Sequence, residues 1–310
     1  MNTAYPKVSV FVPTFNHREF APAAIESILM QHYPNLEIVI GDDGSSDGTQ
    51  EILLEYKEKY SDLFQLILST KNEGISVNCN KILNECTGEY VAFLAGDDIW
   101  LPGKLLKQVD LMQKNPGASL CVSKVEWFES KTNKTMFIYP RDDFNVENMS
   151  IIDIAYYIGC TGASMIFRRD AAPKYGFETS LPMVSDWLFF IEVMRNGDVI
   201  FINEALARYR RHGESMSNYP DLIFKEHVQT LFLLEGKYED MREDVSKFMK
   251  KYVLLNASEI FNKTNNHELK CGHLHAILSS SSTAMLLKNI FKIIVRRMLK
   301  RIMFAQERLR

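Results

Sequence analysis

Twice in this chain an apolar run ends abruptly in two adjacent carboxylates. Ile38-Val39-Ile40-Gly41 leads into Asp42-Asp43-Gly44-Ser45-Ser46-Asp47-Gly48-Thr49, and Tyr90-Val91-Ala92-Phe93-Leu94 leads through Ala95-Gly96 into Asp97-Asp98. Short apolar runs bounded by turn residues read as buried strands. Open α/β sheets present ligand-binding residues at the carboxyl ends of their strands, so both acidic pairs are expected along one edge. Neighbouring carboxylates repel one another unless a cation or hydrogen-bond donors compensate. Mg2+ and Mn2+ prefer oxygen ligands and share them with phosphates, which predicts a site for a metal-bound nucleoside diphosphate. Asp-Asp-Gly-Ser is also ordinary turn chemistry, its side chains bonding nearby backbone and its glycine taking positive φ. The recurrence behind a second strand favours the site.

Strands are expected over residues 7–12, 36–40, 64–69 and 90–94, the first stopped by Pro13, with helices over 21–31, 50–60, 76–85 and 103–113. This β-α-β-α-β-α-β order predicts a mostly parallel sheet with right-handed crossovers, flanked by helices. Later segments are mixed. Strands are expected over 118–128, 135–139, 163–167, 199–202 and 206–210, helices over 151–158 and 186–195, and a helical pattern runs from 221 to the end.

Hydrophobic residues at 46% and charged residues at 24% describe a globular chain. Its five cysteines, Cys79, Cys86, Cys121, Cys160 and Cys271, are scattered without CxxC spacing, which argues for reduced thiols and against zinc or a disulfide framework. The first residues lack the basic and apolar regions of a signal peptide, and no run approaches the ~18–20 apolar residues of a membrane span. The expectation is a cytoplasmic protein. Charge is nevertheless uneven: residues 286–310 carry Lys288, Lys292, Arg296, Arg297, Lys300, Arg301, Arg308 and Arg310 against Glu307 alone, in a chain of net charge −3. On a helical wheel Leu287, Ile290, Phe291, Ile294, Met298 and Ile302 share one face, with Lys288, Lys292, Arg296 and Lys300 largely opposite. Such a helix either lies in an anionic membrane interface or packs on the protein body with a solvated cationic face. The acidic remainder disfavours nucleic acid as a partner.

The order and spacing of several segments resemble family 2 glycosyltransferases. These are Val12-Pro13-Thr14-Phe15-Asn16, Ser27-Ile28-Leu29-Met30-Gln31-His32-Tyr33-Pro34-Asn35-Leu36-Glu37, the Asp-Asp-Gly-Ser-Ser-Asp-Gly-Thr run, Asn72-Glu73-Gly74-Ile75-Ser76, Thr87-Gly88-Glu89-Tyr90 and Gly96-Asp97-Asp98-Ile99-Trp100-Leu101-Pro102. The resemblance covers residues 7–110 and extends, more weakly, to about 217. It implies a GT-A type, Rossmann-like α/β domain over 1–217, with a nucleotide-sugar half (1–110) and an acceptor half (111–217). A helical C-terminal region, 218–310, follows. It further implies inverting, metal-dependent transfer from a nucleotide-sugar, with UDP as the expected carrier, to a glycan or lipid-linked hydroxyl acceptor in polysaccharide biosynthesis. Carried over by position, Pro13, Thr14, Phe15, Asn16, Asp42, Asp43 and Asp97 line the nucleotide pocket, with Asp97 contacting the ribose or the metal. Asp98 is the main protein ligand of Mn2+ or Mg2+, and His212 completes its shell. Arg210 or Arg211 neutralises phosphate charge, Gly162 and Trp187 shape the acceptor side, and Asp186 is the general base. Gly96 departs from the family by standing in the usual first-Asp position, and Ser185 by replacing the Glu that often precedes the catalytic Asp.

The chemistry explains the residue types. Glycosyl transfer expels a nucleoside diphosphate whose developing charge a divalent ion stabilises, while the acceptor hydroxyl needs a base. Plainer roles stand beside these: a first-turn carboxylate favoured by the helix dipole for Asp186, core packing for Trp187, a structural imidazole for His212. A catalytically silent nucleotide-sugar-binding scaffold is the alternative from another class. A nucleotidyltransferase is disfavoured, because no Gly-rich loop with a following Lys or Arg succeeds the first strand.

Overall fold

The computed structural model describes residues 5–142, 144–147, 149–158, 162–213, 218–250 and 252. Strand β1 (Val8–Thr14) is buried at every residue because it lies mid-sheet, parallel to β2 (Leu36–Asp42) on one side and β4 (Tyr90–Phe93) on the other. Burial on both faces is why these strands read as continuous apolar runs. β3 (Phe64–Leu68) extends the parallel set beyond β2. The crossovers are helices α1 (Ala21–Leu29), α2 (Thr49–Lys59) and α3 (Ile75–Glu85), the last two opened by Gly48 and Gly74 at positive φ.

Past β4 the sheet becomes mixed. After the short β5 (Ile99–Trp100) and helix α4 (Lys104–Lys114) come the long β6 (Ala118–Glu129) and β7 (Thr135–Tyr139), which form an antiparallel hairpin. Helix α5 (Ile151–Tyr157) precedes β8 (Ile166–Arg168), which pairs antiparallel with both β4 and β6. Helix α6 (Ser185–Arg195) leads into β9 (Asp198–Arg211), parallel to β6. The order is β3-β2-β1-β4-β8-β6-β9-β5, with β7 on β6.

Three boundaries differ from expectation, each for a physical reason. β1 runs on through Pro13. Its carbonyl accepts from the Gly96 N–H, so the prolyl nitrogen faces the same side, where β4 has already ended and no ladder donor is needed. The two strands expected over 199–202 and 206–210 are one. Ser123 pairs with Ile202 and Lys124 with Ala205, so a bulge takes up the polar Asn203 and Glu204 that interrupt the apolar pattern. Gly162–Ser164 is a 3-10 turn, so the strand after it starts only at Ile166.

The chain divides into two compact units, Met1–Asn218 and Tyr219–Arg310. In the second, helix α7 (Pro220–Lys237) buries Phe224, Val228, Leu231 and Leu234 at helical spacing. Among the described residues no helix is long and apolar enough to cross a membrane. Cys79, Cys86 and Cys121 are unpaired and buried. Residues 159–161 and 214–217, Cys271 and the basic segment 286–310 lie outside the described residues.

Candidate active site

The sheet brings the carboxyl ends of β1, β2 and β4 together, and the two acidic pairs with them. Asp42 is the last residue of β2 and is fully buried. Its Oδ1 accepts from Ser45 N (2.9 Å) and Gln50 Nε2 (2.7 Å), its Oδ2 from Thr14 Oγ1 (2.9 Å) and Ser45 Oγ (2.5 Å). A carboxylate offers about four lone-pair sites, so none is left for a nucleotide. Asp42 and Thr14, both expected in the pocket, are bonded to each other, and Asp42 also braces the 45–50 segment. Asp43 accepts from Glu73 N (2.8 Å) and Gly74 N (2.9 Å), which pins the 72–74 turn beside the pair and leaves lone pairs in hand.

Of the β1 end, Pro13 is buried with Thr14, while Phe15 is exposed. Asn16, at φ 53°, accepts from Ser46 N through Oδ1 and donates its own N–H to Ser45 Oγ, latching one loop to the other.

The second pair divides the other way. Asp98 is 2% exposed and accepts the Arg210 N–H on Oδ1 at 2.9 Å. Burial pushes its carboxyl well above the usual range, and neighbouring Asp97 adds to the push. Asp97 Oδ2 lies 3.0 Å from His212 Nε2, with side chains 18% and 9% exposed. Burial opposes ionisation of Asp97 as well, but the His212 hydrogen bond and the nearby His17 and His212 outweigh it and hold the carboxyl below its ordinary value. Of the two acids, Asp98, expected as the main metal ligand, bonds the β9 backbone through Oδ1, and Asp97 is the one that meets His212.

An oxygen and an imidazole nitrogen 3.0 Å apart match adjacent ligands of an ion with bonds of about 2.1 Å. The pair thus fits Mn2+ or Mg2+ as part of a shell. Among the described residues no three His, Cys, Asp or Glu gather to hold an ion unaided, so phosphate and water would complete it, as Mg2+ prefers.

Arg210 and Arg211 separate. Arg210 stacks between Phe20 (4.9 Å) and Phe128 (4.8 Å) while its Nε donates to the Asp97 carbonyl at 2.7 Å. Arg211 points to the hairpin, over Trp127 at 5.8 Å, with Nη2 on Asn218. Asp186 opens α6, where its Oδ1 accepts the Trp187 N–H at 2.8 Å. The thiol of Cys79, buried on α3, is raised by burial and then by Asp186 and Asp43. Ser185, in place of a Glu, is buried and bonded to Ser76 Oγ at 2.8 Å, which ties α6 to α3.

Two residues expected on the acceptor side are closely packed. Trp187 is 2% exposed, a core side chain with no face for a sugar. A Cβ on Gly162 would lie 2.3 Å from Phe93 Cδ1, so this glycine is required by close approach. The same test explains Gly96, where a Cβ would meet Thr14 Cγ2 at 2.5 Å and His17 Nδ1 at 2.8 Å. There is no room for the family's first acid. His17 itself, beside Asp97 with a buried and unpartnered Nδ1, escaped the sequence reading, since one histidine after a turn carries no pattern.

Residues 9–176 match the family model described as Glycosyl transferase family 2. The chain belongs to that family. Its relatives include TuaG of Bacillus subtilis (strain 168), a glycosyltransferase named for teichuronic acid biosynthesis, 30% identical over 217 residues covering 69% of this chain and 82% of TuaG. An uncharacterized glycosyltransferase of Rickettsia typhi is 26% identical over 81% of this chain and 82% of its own. S. aureus TarS 1-349 in complex with UDP-GlcNAc superposes with a TM-score of 0.68 at 20% identity, covering 87% of this chain and 79% of that one. The Pyrobaculum calidifontis mannosyltransferase PcManGT, in complex with GDP-Man and Mn2+, gives 0.62 at 20% identity over 94% and 81%. The fold of this family 2 glycosyltransferase is thus GT-A.

Proposed function

We propose that the chain is an inverting, metal-dependent glycosyltransferase that moves a sugar from a nucleoside diphosphate, UDP by preference, to a hydroxyl of a glycan or lipid-linked acceptor. The observation that carries this reading is the meeting of Asp97 with His212, 115 residues away. Fold neighbours holding UDP-GlcNAc and GDP-Man with Mn2+ support the donor class. Bound between Asp97 and His212, Mn2+ or Mg2+ would neutralise charge on the departing diphosphate. The protein supplies the rest. Phe15 and Asp43 offer an aromatic face and acceptor lone pairs to the nucleoside, and the Trp187 N–H fixes the Asp186 carboxylate in the first turn of α6. There it takes the proton from the acceptor hydroxyl as the new bond forms on the face opposite the leaving diphosphate.

Thermal shift against UDP and GDP, with and without Mn2+, tests the reading. A Mn2+-dependent rise with one nucleotide, absent in Asp97→Ala, is expected; at a hundredfold excess over Kd the gain is about 2.7 kcal/mol. Asp186→Asn keeps that rise and lowers transfer by about 10²–10⁴-fold. No rise with either nucleotide would overturn the proposal.

A further inference from the structure

The β6–β7 hairpin carries the largest cluster of exposed apolar side chains among consecutive described residues. Met136, Phe137 and Ile138 are 54%, 46% and 47% exposed. Elsewhere in the same unit Tyr5, Phe15, Met30, Leu54, Leu106 and Tyr175 are exposed singly, which is normal for a protein surface. β7 pairs with β6 alone among the described strands. Successive strand residues face opposite sides, so Phe137 lies on one face, over Trp127 at 5.1 Å, and Met136 with Ile138 on the other. A protein groove would cover one of these faces. Apolar exposure on both suits a medium that surrounds the strand.

Charge points the same way. Of the carboxylates here, Glu126 pairs with Arg208 (3.0 Å) and Asp142 with Lys124, while exposed Glu129 accepts from the neutral Thr132 hydroxyl (2.6 Å). Lys131, Lys134 and Arg141 are exposed and make no ion pair within the described residues, and the Arg211 guanidinium lies over Trp127. Apolar side chains edged by Lys131, Lys134 and Arg141 are the chemistry of an anionic lipid interface. The hairpin also adjoins the site. Ser130 N donates to the Arg211 carbonyl at 3.0 Å, one residue before His212.

We propose that the β6–β7 hairpin docks the protein on an anionic membrane surface, with Met136, Phe137 and Ile138 entering the interface and Lys131, Lys134 and Arg141 meeting the headgroups. This brings the site to the lipid side, where a lipid-linked acceptor is held. The docking stands on residues other than those of the nucleotide site, so it is tested apart from donor chemistry.

Trp127 makes the test local, because the other tryptophans, Trp100 and Trp187, are each 2% exposed in the core. The full chain is mixed with vesicles of phosphatidylcholine and phosphatidylglycerol bearing brominated acyl chains, and its fluorescence is compared with that on phosphatidylcholine alone. Quenching on the anionic vesicles is expected, lost in Trp127→Phe. Converting Met136, Phe137 and Ile138 to Ser should weaken vesicle partitioning about tenfold, with the nucleotide-induced thermal shift retained. Lys131→Glu with Lys134→Glu, at exposed positions, gives a second variant expected to weaken it several-fold at low salt. Absence of quenching on bound or unbound protein, quenching undiminished in the Ser variant, or a dimer that the Ser variant dissolves without any lipid effect would each overturn the proposal.

Discussion

β2 and β4 flank β1, and each ends near a pair of adjacent carboxylates, yet the pairs are used in opposite order. At β2 the first acid is absorbed by the fold, Asp42 giving its oxygens to Thr14, Ser45 and Gln50. At β4 the second acid turns inward, Asp98 taking the Arg210 N–H, and the first meets His212. The difference lies in where the strand stops. Asp42 is still paired with Thr14 and Leu68, so the pleat aims its side chain. β4 ends at Phe93, and beyond it a turn closed by Asp98 N on the Ala95 carbonyl leaves Asp98 with the Arg210 N–H and Asp97 with His212. A doubled acid in sequence is thus one structural carboxylate and one presented carboxylate, and the strand end decides which is which.

Separating Asp97 from Asp98 is the strongest way to break this comparison. Asp97→Ala should lower transfer about 10²–10³-fold, the scale for losing a group that stabilises developing charge. Asp98→Asn should stay within about tenfold of wild type, since Asn keeps an acceptor for the Arg210 N–H. The same variant has a stability signature in the metal-free protein. A carboxyl raised in the folded state holds a proton that the unfolded chain releases at its ordinary 3.8, so stability falls as pH climbs from there through the folded value. Calorimetry in chelator should show Asp98→Asn more stable at neutral pH and without that fall.

Next in size, Asp42→Ala leaves buried donors unsatisfied and should cost about 3 kcal/mol in urea unfolding, against about 1 kcal/mol for Asp43→Asn, whose loss should appear in nucleotide affinity. Equal stability costs would erase the division of labour at β2. Gly96→Ala should cost about 1–3 kcal/mol by pushing Thr14 off Asp42, a link between the two pairs that thermal melts would reveal. The smallest effect belongs to a buried charge remote from either pair. Lys104, with Nζ on Gln108 Oε1 at 2.6 Å, is driven down by burial to about 7. The unfolded chain then holds the extra proton between about 7 and 10.5, so stability rises with pH across that window. Lys104→Met should add about 1 kcal/mol at neutral pH and flatten the rise.

The strand–helix alternation and the edge that carries the acids were legible because buried parallel strands leave apolar runs and turns leave Gly and Asp. What was not legible depended on direction and distance. Nothing local distinguishes Asp97 from Asp98, since the Arg210 N–H that claims one of them comes from 112 residues away. The two-residue β5 is too short for any pattern, and β9 looked divided because Asn203 and Glu204 are polar. Glu37 stands in a segment that resembles the family, yet it serves the other end of the sheet: burial would raise its carboxyl, but Lys7, Ser9 and Thr87 hold it at about 2.

The reach of β9 also sets a clock. Ribosomes deliver about 5–20 residues each second, so Asp97 and Asp98 emerge on the order of ten seconds before the strand end that completes them. Until then the nascent chain holds two neighbouring acids with neither the Arg210 N–H nor His212, and contacts of such long sequence separation form late. A stalled or truncated product lacking the end of β9 thus carries the two acids without the Arg210 N–H and His212 that meet them.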